Sequence, residues 1–300
     1  MPVVTLGGLP TYYEEHGSGE PFVLVHHDAS SSRVWAPFVP TFAAAHRVIL
    51  YDRRGQGRSA PPQHALPYRV GDLADDLDQL CRHLGIERLT LLGYSGGALA
   101  SLEFALRQRR RIKALILVEP NVIGFRFPMP LAAEEERSIT LVRQAVAEVQ
   151  AGRPETALRT WLSSVYPKTY EQLLRGPAGK DLYALPPPLL LNIMEAALEF
   201  SVPEARLREL RAPVLLIGGG ESQPLYQKML RELAAWLPRS RCAWVPGADH
   251  GLVMQRPKLF RAAVQEFLEE VSDEVSDERG KALPADAAPG RAAERSAPAG

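Results

Sequence analysis

Five short runs of branched and leucine-rich residues place the strongest constraint on the fold of this chain. None of them alternates apolar with polar positions, which is typical of strands buried on both faces of a parallel sheet. Longer segments with helical spacing separate the runs, and this order predicts right-handed crossovers. The sequence therefore predicts an α/β fold with a mostly parallel, doubly wound sheet. The runs are FVLVH (22–26), RVILY (47–51), LTLL (89–92), IKALILV (112–118) and VLLI (214–217).

Weaker signals extend this pattern. The segment 11–15 is more polar and predicts an early antiparallel edge strand, and the segment 242–245 predicts the last strand. Apolar residues recur at helical spacing between Val70 and Leu84, and Gly85 follows as a C-terminal cap. The other helices predicted beside the sheet are Ala98–Leu106, Pro224–Leu237 and Pro257–Val271.

The alternation stops between Pro120 and Arg211. Helical patterns over 131–150 and 187–200 fill this stretch, so residues 120–211 predict a helical insertion over the sheet. From residue 273 onward the chain has no aromatic residue and holds mainly Ala, Pro, Gly and charged side chains. Such a segment buries too little apolar surface to offset its ordering entropy, which predicts a disordered tail over 273–300. The predicted core then comprises residues 1–119 and 212–272.

Charge and cysteine content limit the class of protein. The 300 residues carry 35 basic and 35 acidic side chains, so a generally basic nucleic-acid-binding protein is not expected. No apolar run reaches the roughly 18 residues of a membrane helix, and residues 1–10 lack the pattern of a signal peptide. Cys81 and Cys242 provide neither a disulfide framework nor a zinc site. We therefore expect a cytoplasmic protein with no metal, nucleic-acid or membrane partner, and the oligomeric state stays open.

Gly93-Tyr94-Ser95-Gly96-Gly97 is a G-x-S-x-G sequence between a predicted strand and a predicted helix. A serine on so sharp a strand-to-helix turn needs small residues two positions before and after it, and glycines stand at both. The turn projects the Ser95 hydroxyl above the sheet, where a base can reach it. This context predicts that Ser95 is a nucleophile.

Four motifs in this order resemble the α/β-hydrolase fold superfamily over most of residues 3–271. One motif is the Ser95 turn. A second is His26 after the third strand, where the superfamily usually has His-Gly. The sequence DRRGQGRS at 52–59 is similar to D-x-R-G-x-G-x-S, and Gly247–His250 is similar to the terminal G-x-x-H. Trp35 lies in the matching downstream helix. The resemblance implies that residues 120–211 are a cap inserted after the sixth strand, and that the protein is an enzyme without a cofactor.

The chemistry of Ser95 requires a base, because a serine hydroxyl is a poor nucleophile at neutral pH. His250 follows the last predicted strand, from where it can reach over the carboxyl edge of the sheet. The resemblance implies the chain order Ser, acid, His, and His250 fits the last position. We therefore predict that His250 is the base.

The acid has more than one candidate. The superfamily commonly has it in G-x-x-D after the strand VLLI, where this chain has Ser222, with Glu221 one residue earlier. A serine cannot stabilise an imidazolium by charge. Some members have the carboxylate one strand earlier, where this chain has Glu119. A carboxylate that ends a buried strand needs a partner, so we favour Glu119 and keep Glu221 and Asp249 as alternatives.

An oxyanion hole is expected from the backbone N–H groups of Gly96 and, by alignment with the superfamily, Asp28. This chain has His26-His27 where the superfamily has His-Gly, and an acidic residue follows. One interpretation is structural, with His27 packed under the cap and Asp28 bonded to its own turn at 30–32. In the other, both side chains project toward the substrate, where an acidic group opposes the developing oxyanion unless it points away.

Apolar and aromatic residues are frequent in the predicted cap, and some of them should line a pocket for a partly apolar small molecule of medium size. We predict a serine hydrolase that acts on an ester, thioester or lactone through an acyl-enzyme. The alternatives are a cofactor-independent lyase, cyclase or oxygenase at the same site, a C–C bond hydrolase and a non-catalytic ligand receptor. The pocket candidates are His27, Tyr94, Trp35, Phe125 and Trp161.

Overall fold

The strands of this protein form one sheet at its centre. They are β1 (Val3–Leu6), β2 (Leu9–His16), β3 (Glu20–Val25), β4 (His46–Tyr51), β5 (Leu89–Tyr94), β6 (Ile112–Val118), β7 (Val214–Gly219) and β8 (Ser240–Val245). Their order is β1-β2-β4-β3-β5-β6-β7-β8. β3 to β8 pair in parallel, whereas β2 pairs antiparallel with β1 and β4. The computed structural model describes residues 2–59, 68–124, 130–176, 179, 182–183 and 185–281.

Helices cover both faces of the sheet, which confirms the predicted doubly wound arrangement. Leu91 of β5 packs in the cluster that contains the apolar side of α2 and α3, and the next residue, Leu92, packs in the cluster of Phe260 from α11. Burial of one leucine side chain contributes about 1.5–3 kcal/mol, which explains why these strands lack polar positions. The helices are α1 (Val39–Phe42), α2 (Val70–His83), α3 (Gly96–Arg107), α4 (Ala133–Gln150), α5 (Pro154–Val165), α6 (Tyr170–Arg175), α7 (Pro187–Glu199), α8 (Glu204–Arg208), α9 (Pro224–Trp236), α10 (Leu252–Gln255) and α11 (Pro257–Lys281).

The chain between β6 and β7 holds helices α4 to α8, and we refer to them as the cap. Its two long predicted helices correspond to α4 and α7. Trp161 and Leu162 of α5 are buried in the same cluster as the side chains of α4 and α7. The cap therefore has an apolar interior of its own that continues into the core beside the sheet.

The predicted early edge strand is antiparallel, as expected, but it is not at the edge. Residues 11–15 lie within β2, and β1 pairs with its outer side. Gly7 and Gly8 connect the two strands with φ values of 53° and 81°, the left-handed conformation of a two-residue hairpin turn. β1 is short and mostly exposed, and it was not assigned from the sequence, although its residues VVTL favour a strand and the Gly7-Gly8 pair favours a hairpin turn.

α11 continues to Lys281, past residue 273, where the sequence predicts that the tail begins. Glutamate, arginine and lysine have good helix propensity, so a helix that begins on a buried segment extends through a charged one at little cost. Residues 282–300 of the predicted tail lie outside the described residues. Within the part of the chain that the structure describes, no helix is both long and apolar enough to cross a membrane.

Candidate active site

Ser95 lies on the turn between β5 and α3 in a strained backbone conformation, with φ of 53° and ψ of −120°. The turn requires the predicted glycines, because other backbone atoms approach them closely. A Cβ atom on Gly93 would lie 2.5 Å from the Gly97 carbonyl oxygen, and one on Gly97 would lie 2.4 Å from the His26 carbonyl oxygen. The turn therefore holds Ser95 at the carboxyl edge of the sheet, as a nucleophile elbow does.

His250 follows β8 and contacts the side chain of Ser95. Its Nε2 atom lies 3.0 Å from Ser95 Oγ. The Tyr94 hydroxyl donates a hydrogen bond of 2.5 Å to the His250 carbonyl oxygen and so ties the loop after β8 to the end of β5. In this geometry an imidazole can accept the proton of a serine hydroxyl.

Glu119 extends the hydrogen-bonded pair to three residues. His250 Nδ1 lies 3.1 Å from Glu119 Oε2, and the Glu119 side chain is fully buried. Its Oε1 atom accepts 2.7 Å hydrogen bonds from the Gly219 N–H and the Ser222 hydroxyl. A buried carboxylate needs such donors to offset the loss of water. In the tautomer of His250 that carries its proton on Nδ1, the N–H donates to Glu119 and Nε2 accepts a hydrogen bond from Ser95.

The two other acid candidates are occupied elsewhere. The Glu221 side chain is 56% exposed, and its Oε2 lies 3.7 Å from Lys168 Nζ. The Asp249 carboxylate accepts hydrogen bonds from the Gly251 N–H at 2.9 Å and from the side-chain amide of Gln255 in α10 at 2.7 Å. Glu119 is the candidate that the fold brings to His250.

The expected oxyanion site lies where α3 begins beside the loop after β3. Gly96 is the first residue of α3, so its N–H has no acceptor within the helix. The Asp28 side chain lies directly against it, because a Cβ atom on Gly96 would be 2.0 Å from Asp28 Oδ2. Ala29 and Glu119, like Ser95, have positive φ values although they are not glycines. Strained residues therefore follow β3, β5 and β6, at one edge of the sheet.

Asp28 forms a buried ion pair with Arg53. Arg53 Nη2 donates a hydrogen bond of 2.8 Å to Asp28 Oδ1, and the two side chains are 1% and 8% exposed. The predicted bond between Asp28 and the turn at 30–32 is wrong, because Asp52 accepts the Ser32 N–H instead, at 2.7 Å. The Arg53 guanidinium compensates the negative charge that otherwise opposes an oxyanion beside Gly96.

The two neighbouring histidines are neutral at pH 7. His26 is fully buried, its Nδ1–H donates to the His27 carbonyl oxygen at 2.7 Å, and its Nε2 accepts the Arg53 N–H at 2.9 Å. The His27 ring contacts the Tyr94 ring, with 4.8 Å between centroids, and its Nδ1–H donates to the Asp28 carbonyl oxygen. Burial lowers the pKa of both histidines, so neither ring places a positive charge beside the reacting groups.

Comparison with known proteins identifies the family of this chain. A sequence profile described as alpha/beta hydrolase fold matches residues 16–257. The chain belongs to the alpha/beta hydrolase fold family. A relative named putative carbamate hydrolase RutD, from Caulobacter sp. (strain K31), is 29% identical over 272 residues, which cover 88% of this chain and 97% of the relative.

Two solved structures have the same fold as this chain. The esterase EaEST from Exiguobacterium antarcticum is similar with a TM-score of 0.76 and 19% identity, over 89% of this chain and 98% of that chain. The enol-lactonase from Burkholderia xenovorans LB400 is similar with a TM-score of 0.72 and 21% identity, over 89% of this chain and all of that chain (100%).

A cavity of about 720 Å³ lies above Ser95 and His250, between the sheet edge and the cap of this α/β hydrolase. Of the predicted pocket residues, His27 and Trp161 line it. The prediction is wrong for Tyr94 and Trp35, which are fully buried in the core. The turn over 32–35 directs the Trp35 ring into the layer under α11, where it stacks on Phe260 with 6.2 Å between centroids. Phe125 lies outside the described residues.

Three tyrosine rings surround the imidazole of His250. The ring centroids of Tyr94, Tyr166 and Tyr226 lie 5.7, 5.4 and 4.7 Å from that of His250. Burial raises the pKa of all three hydroxyls, so they stay protonated and neutral. The three rings therefore pack around the imidazole and hold it between Ser95 and Glu119.

Sequence analysis did not identify Tyr226 or Asn121 as site residues. The Tyr226 hydroxyl donates to Asn121 Oδ1 at 3.3 Å, and Asn121 lines the cavity. Tyr226 lies in the first turn of α9 and Asn121 follows β6, and neither position has a local motif. The signal that identifies them is their proximity in the fold. Among the described residues, no group of three His, Cys, Asp or Glu side chains could hold a metal ion.

Proposed function

We propose that this α/β-hydrolase-fold enzyme is a serine hydrolase that cleaves a carboxylic ester, thioester or lactone through an acyl-enzyme. The observation that carries the proposal is the chain of hydrogen bonds from Ser95 Oγ through both nitrogens of His250 to Glu119, at 3.0 and 3.1 Å, below a cavity of about 720 Å³. Each group in this chain has the partner that its role requires.

The proposed reaction begins when Ser95 Oγ attacks the carbonyl carbon of the substrate and His250 Nε2 takes the hydroxyl proton. Glu119 stabilises the imidazolium through Nδ1–H. The N–H groups of Gly96 and Asp28 bind the oxyanion of the tetrahedral intermediate. As the intermediate collapses, Nε2 donates the proton to the leaving oxygen or sulfur, and the acyl group stays on Ser95. Water then repeats the sequence on the acyl-enzyme and releases the acid.

The walls of the cavity support a partly apolar substrate. The cap contributes Trp161, Leu162 and Val165 on one side, and the loops after β3 and β4 contribute polar side chains, among them Ser30 and Gln56. A cavity of this volume holds a drug-sized molecule. We therefore expect the apolar part of the substrate to pack against α5 and a polar group to face the two loops.

A carbamate is the second candidate substrate class. Two observations favour it: the full-length similarity to a relative named putative carbamate hydrolase, and the carboxylate of Asp28 beside Gly96. Asp28 Oδ1 is bonded to Arg53, and the carboxylate retains acceptor capacity that suits the N–H group of a carbamate.

Labelling with a fluorophosphonate probe tests the nucleophile. We expect one adduct, located on Ser95 by peptide mass spectrometry, and none in Ser95→Ala. A matched panel of p-nitrophenyl esters, thioesters, lactones and carbamates then ranks the substrate classes. A folded wild-type protein without an adduct, or full turnover by Ser95→Ala, would contradict the acyl-enzyme and favour a lyase-type reaction at the same site.

A further inference from the structure

The strands that carry the site residues at their carboxyl ends carry cations at their other ends. Arg88 immediately precedes β5, Lys113 is the second residue of β6, Arg211 lies in the connection that enters β7, and Arg239 immediately precedes β8. Because these four strands are parallel, the cations gather at the sheet edge opposite Ser95. Arg109 and Arg110 join them from the turn before β6.

These six cations line a second cavity, of about 390 Å³. Glu209 is the single carboxylate among the described residues that line it. The chain as a whole has a formal net charge of zero. The positive charge around this cavity is therefore a local concentration and does not reflect a basic protein.

Half of the six cations lack a counter-charge in the part of the chain that the structure describes. Arg109 Nη1 lies 2.9 Å from Glu209 Oε2, and Lys113 Nζ lies 3.2 Å from an oxygen of Glu20. Arg88, Arg110 and Arg211 are exposed and have no ion-pair partner among the described residues. Like charges that converge on one concavity repel each other unless an anion joins them.

Several arginines elsewhere on the surface are paired within their own helices. Arg82 and Asp78, Arg175 and Glu171, and Arg208 and Glu204 are such pairs, each four residues apart. Arg137 and Arg143 of α4 are also exposed without an ion-pair partner among the described residues, but they line neither cavity. The second cavity differs because six cations converge on one concavity, which is the arrangement of a binding site for negative charge.

We propose that the second cavity binds a small polyphosphate anion, at a site separate from the proposed catalytic centre. Guanidinium groups bind phosphate oxygens through paired, charge-assisted hydrogen bonds, and several phosphates can bridge several arginines. The volume lies in the range of small-molecule sites. The cations surround a concavity, whereas a nucleic-acid surface presents them as a stripe along the backbone path.

Isothermal titration calorimetry with inorganic tripolyphosphate tests the site in the full chain. We expect saturable one-to-one binding that weakens as the salt concentration rises. The variant Arg110→Glu/Arg211→Glu should bind at least about tenfold more weakly, since it removes two of the guanidinium groups and adds two negative charges. The matched control is Arg137→Glu/Arg143→Glu, which makes the same charge change at exposed, unpaired arginines of α4 and should retain wild-type affinity.

Circular dichroism and esterase activity identify any variant that fails to fold, and Arg110→Ser/Arg211→Ser then serves in its place. Absence of saturable binding overturns the proposal, as does equal weakening in the test and control variants. A short DNA duplex that binds more tightly than tripolyphosphate, and depends on the same two arginines, overturns the assignment to a small anion. Loss of binding confined to the Arg110 and Arg211 variants supports it.

Discussion

The Ser222 hydroxyl donates a hydrogen bond of 2.7 Å to Oε1 of Glu119, across 103 residues of the chain. Ser222 stands at the position after β7 where, by the resemblance, other members of the superfamily commonly have the acid. Glu119 reaches the same place from the end of β6, and its carboxylate lies between Ser222 and His250. The serine therefore supports a carboxylate that comes from the neighbouring strand.

Glu119→Gln tests the proposed acid. The amide cannot stabilise the imidazolium and can favour the wrong tautomer of His250, so we expect kcat on an activated ester to fall by about 10³- to 10⁴-fold. Glu221→Gln is the control and should retain wild-type kcat, because that side chain is exposed and pairs with Lys168. Loss of activity in the Glu221 variant alone would move the acid to β7.

Ser222→Ala tests the support of the carboxylate. Removal of the hydroxyl leaves Oε1 of Glu119 with the Gly219 N–H as its remaining donor at this atom. We expect the free energy of unfolding in urea to decrease by about 1–3 kcal/mol and kcat to decrease with it. Ser240→Ala, which removes a hydroxyl at the opposite edge of the sheet, should leave kcat unchanged. An unchanged kcat in Ser222→Ala would show that the Gly219 N–H is sufficient.

Tyr226 tests the aromatic surroundings of His250. Tyr226→Leu removes the ring that lies 4.7 Å from the imidazole, and we expect kcat to fall by about 3- to 10-fold while KM for a small ester changes little. Tyr226→Phe keeps the ring and loses only the 3.3 Å hydrogen bond to Asn121, so it should remain near the wild-type rate. Equal losses in both variants would assign the effect to the hydroxyl.

Asp28→Asn tests the buried ion pair beside Gly96. The substitution leaves the Arg53 guanidinium buried without a counter-charge, which should lower the free energy of unfolding by about 3–5 kcal/mol. Glu204→Gln breaks an exposed pair with Arg208 and should cost no more than about 0.5 kcal/mol. Urea denaturation of both variants provides the comparison, and a similar small cost in both would contradict the role of the pair.

The burial of the His26 imidazole predicts how the stability of the protein depends on pH. Burial lowers its pKa well below the ordinary value of 6.5, so the unfolded chain binds a proton that the folded chain excludes. Stability from the neutral ring is fully present above pH 6.5 and is lost as the pH falls toward the lowered pKa. The slope of the unfolding free energy against pH is proportional to the number of protons taken up on unfolding. We expect His26→Asn to lower that number in this window by up to about one. A slope in His26→Asn equal to that of the wild type would contradict this contribution of His26.

Local patterns in the sequence were sufficient for the parallel strands of the sheet and for two site residues. Non-alternating apolar runs identify the parallel strands, because such residues are stable only when both faces are covered. Glycines on both sides of Ser95 identify its turn, since other residues do not fit there. The last turns of α11 were missed, because a charged segment has no apolar pattern to detect, and β1 was not assigned although VVTL is a run of strand-forming residues.

The sequence also identified His250, which ends its own motif. The tertiary structure decided which groups surround the site. The choice of Glu119 over Glu221, the pairing of Asp28 with Arg53 and the approach of Tyr226 to His250 all depend on distances between residues far apart in the chain. The inward position of Trp35 also depends on the tertiary structure, because its ring packs in the apolar space under α11. Sequence patterns record which residues must be buried, but hydrogen bonds and ion pairs form only between groups that the complete fold brings within about 3 Å.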